Sequence, residues 1–331
     1  MIISRTPFRI SLFGGGTDYP TWFREHGGAV IGTAIDKYCY ITLRRLPPFF
    51  EHKSRIVYSQ VELVHKVSEI KHPAVRGILA ERGVADGLEI HHDADLPARS
   101  GLGSSSAFTV GLLHALSALD AKMISKPDLA REAIRIEQDV LKENVGSQDQ
   151  LWATYGGLNR IDFLPDGTFS VAPIIMPSER RDELCQTMML FFTGFSRFAS
   201  DFAQDQIKNI SNRTSQLKAM RGMVDGAQEI LLDSKTPLRR LGELLDDSWR
   251  LKRELADSVS NPTLDEIYQA GKDAGAIGGK LLGAGGGGFM VFLVEPGKRE
   301  KVRERLKKLI HVSVGMDNEG SKIVLYQPNG L

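Results

Sequence analysis

Cysteine is scarce in this chain, and a surplus of either charge is missing. The two cysteines in 331 residues, Cys39 and Cys185, stand far apart beside apolar runs. That pattern suits buried thiols in a reducing compartment and argues against a disulfide framework or a Cys-rich zinc site. Lys and Arg number 42 against 41 Asp and Glu, a formal net charge of +1, so no overall field draws the chain to nucleic acid or to an anionic membrane. Any anion has to be captured locally. No stretch is apolar for long enough to span a bilayer, and the opening MIISRTPFRISLF lacks the uninterrupted apolar segment of a secretion signal. The expected location is the cytoplasm. Internal repeats and low-complexity tracts are also missing, which sets aside solenoids and propellers. What is there, 42% hydrophobic and 25% charged residues, is the balance of a globular protein long enough for two cores.

Turn residues cut the chain into short runs. Those at 2–13, 29–44, 55–58, 88–92, 158–163, 187–192, 289–294 and 322–326 have strand character. Helical periodicity marks 105–119, 126–142, 198–232, 237–258 and 263–278. Strands dominate the first half and long helices the second, until a final pair of strands. That segregation predicts an α+β fold rather than a doubly wound sheet. Pro165-Asp166-Gly167 and the polar stretch 177–183 set a boundary near residue 180, hence domains 1–180 and 181–331. The helices at 198–258 carry enough apolar surface to pack either a domain or a homodimer.

Glycine supplies the most informative punctuation. A first loop follows a strand: Pro7-Phe8-Arg9, then Gly14-Gly15-Gly16-Thr17-Asp18-Tyr19. A second runs Leu96-Pro97-Ala98-Arg99-Ser100-Gly101-Leu102-Gly103-Ser104-Ser105-Ser106-Ala107 into a helix that is apolar on nearly every face. Unpaired N–H groups and the positive end of the helix dipole make such a start a natural seat for polyphosphate. The third is Lys280-Leu281-Leu282-Gly283-Ala284-Gly285-Gly286-Gly287-Gly288-Phe289, read as lying between a helix and a strand. It satisfies G-x-G-x-x-G, but in the wrong order for a dinucleotide fingerprint, which runs from strand to helix. Gly279-Lys280 is no Walker A either: Leu281 stands where that motif needs a hydroxyl.

Two carboxylates complete the candidates. Glu137 falls on the apolar stripe of Ala130, Ala133, Ile134 and Leu141, so it needs a partner: a magnesium ion, or a salt bridge to Arg131, Arg135 or a neighbouring strand. Asp149, in the glycine-led segment Gly146-Ser147-Gln148-Asp149-Gln150, is read as a loop residue able to accept a hydroxyl proton.

The three loops, in this order and over the whole chain, resemble the GHMP kinase superfamily. Gly101-Leu102-Gly103-Ser104-Ser105-Ser106-Ala107 carries the likeness most specifically, and the loop Gly283 to Gly288 supports it. The resemblance implies a mixed-sheet ATP-binding domain, a ferredoxin-like C-terminal domain and an active site between them. It implies ATP and Mg2+ as cofactors, with Leu96, Pro97, Arg99, Ser100, Gly101, Leu102, Gly103, Ser104, Ser105 and Ser106 around the nucleotide. By the same resemblance Ser105 and Glu137 hold the metal, Asp149 is the base with Arg9 beside it, and Gly15, Gly16, Thr17, Asp18, Gly285 and Gly286 meet the sugar. Where galactokinases carry Glu-His before Thr-Asp-Tyr, this chain has Gly15-Gly16, which points away from galactose.

Arg5-Thr6-Pro7-Phe8-Arg9, Ile35-Asp36-Lys37-Tyr38-Cys39-Tyr40, Leu46-Pro47-Pro48-Phe49-Phe50 and Thr193-Gly194-Phe195-Ser196-Arg197 look most like the bacterial D-glycero-D-manno-heptose 7-phosphate kinases. That likeness implies phosphorylation of an anomeric hydroxyl to give the 1,7-bisphosphate for activated heptose and capsule or lipopolysaccharide synthesis. A sugar already bearing phosphate needs a second clamp, for which Lys37 and Arg197 are the candidates. Another sugar 1-kinase (fucose, mannose or other hexose) and a non-catalytic sugar or nucleotide sensor are the alternatives on this scaffold.

Overall fold

The computed structural model describes residues 1–84, 87–194, 204, 205, 207 and 209–328. Its first half contains β1 (Ile2–Phe13), α1 (Pro20–His26), β2 (Gly28–Arg45), β3 (Ser54–Val57), β4 (Val61–Val64), α2 (Pro73–Glu81) and β5 (Leu88–Ala94). Then come α3 (Ser104–Leu119), α4 (Lys126–Arg135), a π-helical turn (Ile136–Val140), α5 (Asp149–Tyr155), β6 (Leu158–Phe163) and β7 (Phe169–Pro173). The second half holds α6 (Ser178–Thr187), β8 (Met188–Phe192), α7 (Thr214–Leu232), α8 (Arg239–Arg253) and α9 (Pro262–Asp273). It ends with β9 (Ala276–Leu281), β10 (Phe289–Val294), α10 (Arg299–Arg305), β11 (Ile310–Val312) and β12 (Lys322–Tyr326).

The strands form two sheets. One is eight-stranded, in the order β12-β1-β2-β5-β3-β4 with β6 on β2 and β7 on β6; the other is four-stranded, in the order β11-β8-β10-β9. All pairings are antiparallel except β3 with β5, so the larger sheet is mixed and the fold is α+β. The last strand, β12, returns to lie beside β1.

Two features of the first sheet place the site. The β1–β2 ladder breaks after Pro7↔Tyr38 and resumes at Arg9↔Ala34, so residues 35–37 of β2 bulge opposite Phe8. Such irregularities bend a strand and re-aim its side chains, and Arg9 stands at this one. Helix α3 packs on β1 and β2 with Ala107, Phe108, Val110, Leu112, Leu113 and Leu116 all buried. A helix apolar on nearly every face has little solvent side to satisfy, so it becomes the centre of the core. That core runs on without a break into Leu190, Leu241, Leu282 and Phe289 of the second sheet and its helices.

Several expected elements change. The helix expected over 126–142 is regular only to Arg135; Ile136–Val140 is a π-turn, closed by the Leu141 N–H donating to the Ile136 carbonyl at 2.8 Å. The helix expected over 263–278 stops at Asp273, and Ala276–Leu281 is strand β9, laddered to β10. The third glycine loop therefore joins two strands, not a helix and a strand. A ladder between separate segments outweighs local propensity, because pairing and packing dominate strand formation. The polar stretch at 177–183 forms most of α6 rather than a linker. The start of the helix expected over 198–232 lies outside the described residues.

Candidate active site

Segments far apart in the sequence meet at Arg9, whose side chain is buried. Its Nε and Nη2 donate to Oδ1 and Oδ2 of Asp149, each at 2.7 Å. Its Nη1 donates to the Gly101 carbonyl at 2.6 Å, and its backbone N–H to the Leu102 carbonyl at 3.1 Å. This two-pronged geometry is the strong form of an Arg–carboxylate pair. The third loop closes on the second: the Phe289 N–H donates to the Ser100 carbonyl at 3.0 Å. Gly101 and Gly283 touch so closely that a Cβ on Gly101 would lie 2.4 Å from the Leu282 carbonyl oxygen. Both carry positive φ, 81° and 77°, so space and backbone together restrict these positions to glycine.

Asp149 is not a loop residue; it opens helix α5. The side chain of its neighbour Gln150 donates to Oε2 of Glu137, so one helix start reaches both carboxylates of the site. Glu137 sits in the π-turn with no exposure at all. Ser106 Oγ also donates to Oε2, at 2.9 Å, while Oε1 has no hydrogen-bond partner. Among the described residues Glu137 has no salt bridge, from a neighbouring strand or elsewhere: Arg131 pairs with Asp128, and Arg135 with Glu81 and Glu132. Burial, reinforced by the charge of Glu143, pushes the Glu137 carboxyl up to about 8. An orphaned buried carboxylate oxygen beside hydroxyl-bearing residues fits a hard cation. Among the described residues no cluster of three or more His, Cys, Asp or Glu could hold a metal alone. The donors suit Mg2+, which commonly takes one or two carboxylates and completes its shell with phosphates and water.

Asp18 is almost fully buried, and its Oδ1 accepts the Gly16 N–H at 2.9 Å. Burial raises its carboxyl against the pull of that N–H, and the charge of Asp149 raises it further. Thr17 supports the backbone: its hydroxyl donates to the Gly14 and Ala29 carbonyls at 2.8 and 2.9 Å. Gly15 and Gly16 are buried with it. Ser105 is exposed on the first turn of α3, while Ser106 faces Glu137. Leu96 and Ser100 are buried, Pro97 and Arg99 are exposed, and the Arg99 N–H donates to Ser104 Oγ at 3.1 Å. Gly285 and Gly286 lie against Val259, with the Gly286 N–H donating to its carbonyl at 3.2 Å. Lys37 lies in the β2 bulge, and its ammonium is held by Asp36 at 2.9 Å. Arg197 falls outside the described residues.

Sequence reasoning missed two residues. Lys252 ends the buried stripe of α8 formed by Leu241, Leu245, Ser248 and Trp249. Its Nζ donates to the Gly283 carbonyl at 2.5 Å and the Leu281 carbonyl at 3.4 Å. Lys280, on β9, donates to the Leu12 carbonyl of β1 at 3.1 Å. Burial and the charge of Arg9 bring the Lys252 ammonium down to about 8. Burial, then the charge of Lys252, holds Lys280 well below the usual lysine range. A lysine on an apolar stripe is the same signal that exposed Glu137, and it could have flagged Lys252.

Arg9 thus ties Asp149 to the second glycine loop, the third loop closes on the second, and Glu137 lies buried nearby through Gln150; glycine backbone and fixed carboxylates together suit a phosphotransferase. The GHMP kinase N-terminal domain matches residues 65–157 and the GHMP kinase C-terminal domain residues 231–311. The chain belongs to the GHMP kinase family. D-glycero-alpha-D-manno-heptose 7-phosphate kinase of Campylobacter jejuni is 30% identical, across 93% of this chain and 93% of its own length. Mevalonate kinase of Pyrococcus abyssi is 26% identical across 93% and 92%. The crystal structure of a D-glycero-D-manno-heptose 1-phosphate kinase from Bacteriodes thetaiotaomicron has the same fold, with a TM-score of 0.79 at 23% identity over 97% of this chain and 98% of that one. Kinases of this family use ATP, and the chain is a phosphotransferase of the sugar-kinase kind. Among the described residues no helix is long and apolar enough to cross a membrane.

Proposed function

We propose that this chain transfers the γ-phosphoryl group of ATP to the anomeric hydroxyl of D-glycero-D-manno-heptose 7-phosphate. The product is the 1,7-bisphosphate, a precursor of nucleotide-activated heptose for surface polysaccharide, made in the cytoplasm. One observation carries the chemistry: Arg9 grips Asp149 with two hydrogen bonds and, with its third nitrogen, the Gly101 carbonyl of the phosphate loop. A proton acceptor is thereby fixed against the loop that would seat the γ-phosphate. The choice of sugar rests on the 30% identity to the Campylobacter kinase across nearly the whole of both chains.

Phosphoryl transfer needs alignment and charge neutralisation more than covalent help. Asp149 keeps 25% of its side chain exposed, so it can meet a sugar hydroxyl while bound to Arg9. It accepts the hydroxyl proton as the sugar oxygen bonds to the γ-phosphorus, and the bond to the β–γ bridging oxygen breaks with its electron pair leaving on ADP. Arg9 holds the carboxylate in line and stands ready to share negative charge building on the moving group. The N–H groups of Gly101 to Ser106 cradle the phosphates, and Asp18 receives hydroxyls of the sugar. Ser105 and Glu137 would hold Mg2+, with Ser106 and Gln150 orienting Glu137; the ion would supply neutralisation of phosphate charge. Lys37 and Arg197 are the proposed partners of the 7-phosphate.

The test is a sugar panel scored by ADP release: heptose 7-phosphate, free heptose, fucose, mannose, galactose and hexose 6-phosphates. Turnover should be highest with the heptose phosphate and should drop sharply when the terminal phosphate is removed. Equal turnover with and without that phosphate, or a better hexose substrate, would reject the heptose assignment and leave the kinase chemistry standing.

A further inference from the structure

Lys252 is a buried cation in contact with two carbonyls, and it forms no ion pair among the described residues. Such a placement is costly unless the ammonium does something its surroundings need. Its main contact is the carbonyl of Gly283, a residue so close to Gly101 that a Cβ on it would lie 2.6 Å from the Gly101 Cα. Gly101 in turn accepts Nη1 of Arg9, which pairs with Asp149. From Lys252 to the proposed base there is an unbroken series of contacts, with α8 at one end and α5 at the other.

We propose that Lys252 is a positioning residue whose ammonium clips the third glycine loop to α8, so that the loop stays packed against the phosphate loop and the seat for the triphosphate is strengthened. A triphosphate brought to that seat adds negative charge near the ammonium, so nucleotide binding and protonation of Lys252 favour each other. The inference rests on the kinase reading and is independent of which sugar is the acceptor. The charged groups that act on Lys252 are Arg9 of β1, Asp18 of the first loop, Asp149 of α5 and Lys280 of β9. In the free chain burial and Arg9 hold its ammonium at about 8. Below that value the clip is charged before ATP arrives; above it, binding must also draw a proton from solvent, and affinity falls.

The experiment is calorimetric titration of the full chain with ATP and Mg2+ from about pH 7 to about pH 9.5, for wild type, Lys252→Met and Lys252→Arg. Titration of Glu137 is common to all three and cancels in ratios. At pH 7 the wild type should bind about tenfold more tightly than Lys252→Met, the scale of one lost charge-assisted hydrogen bond. That ratio should shrink towards one at the alkaline end. A ratio of one at pH 7, or a ratio that does not change with pH, would overturn the proposal. Should Lys252→Met fail to fold, Lys252→Arg keeps the charge at every pH, so the wild-type affinity must fall relative to it as pH rises; parallel curves reject the idea. A wild type that binds no ATP at any pH overturns this proposal and the kinase chemistry together, whereas an unexpected sugar leaves the affinity ratios untouched.

Discussion

Asp149 and Glu137 are both held through the first residues of α5, yet their electrical settings are opposite. Asp149 has a cation on both its oxygens and part of its side chain open to solvent. Glu137 takes bonds from the Ser106 hydroxyl and the Gln150 amide, both on one oxygen, with the Thr109 hydroxyl close by, and has no exposure. A carboxylate held at both oxygens by arginine and partly open to solvent is fixed in orientation where a ligand can reach it. A carboxylate walled off from water with one oxygen unpartnered resists ionisation until a cation joins it. In the proposed mechanism the same side-chain chemistry is divided into proton handling and metal holding by what each oxygen touches.

Asp149→Asn strikes this division hardest. Turnover should fall by roughly 10² to 10⁴, the scale of a lost general base, with ATP affinity nearly unchanged; near-wild-type turnover would remove Asp149 from the role. Glu137→Gln comes next, with a loss of about ten- to a hundredfold at fixed Mg2+ and a raised Mg2+ requirement. An unchanged Mg2+ dependence would put the metal elsewhere.

The Glu137 setting also predicts a pH signature with a definite sign. Its carboxyl is raised from 4.5 to about 8 in the folded chain, so between those values the folded state keeps a proton that the unfolded state releases. Without Mg2+ that difference erodes stability as pH rises through the window. Glu137→Gln removes the effect, so its melting temperature should gain on wild type steadily from about pH 5 to about pH 8. A constant gap between the two melting curves would mean that Glu137 is not held protonated. The smallest effects separate the two serines. Ser105→Ala should raise the Mg2+ concentration needed for half-maximal rate, and Ser106→Ala should chiefly cost about 1 kcal/mol of stability through its lost bond to Glu137. The reverse pattern would exchange their roles.

How much of this was legible in the sequence depended on range. The phosphate loop and α3 could be read because both signals are local: glycines and hydroxyls at fixed spacing, then a helix apolar on nearly every face. Glu137 showed itself as an acid on an apolar stripe. The π-turn that presents it did not, since Ile136–Val140 keeps helix-like composition while its hydrogen bonds lengthen by one residue. β9 was hidden because its identity lies in a ladder to β10. Asp149 was found as a residue but misplaced in a loop, because a seven-residue helix led by glycine and serine has little local signature. Lys252 went unnoticed because it stands near no motif, and Lys280, though it opens the third glycine loop, was given no role; only the folded chain brings them to Arg9.

The pairing of β1 with β12 sets a condition on how the enzyme is made. Arg9 stands on a strand whose outer edge is completed by a segment some three hundred positions downstream, and bringing such distant partners together is intrinsically slow. Until that late partner arrives, β1 offers an open edge to any neighbouring polypeptide. Diluted from denaturant, the protein should regain its helical circular-dichroism signal well before its catalytic rate, and the interval between the two is when aggregation is most dangerous.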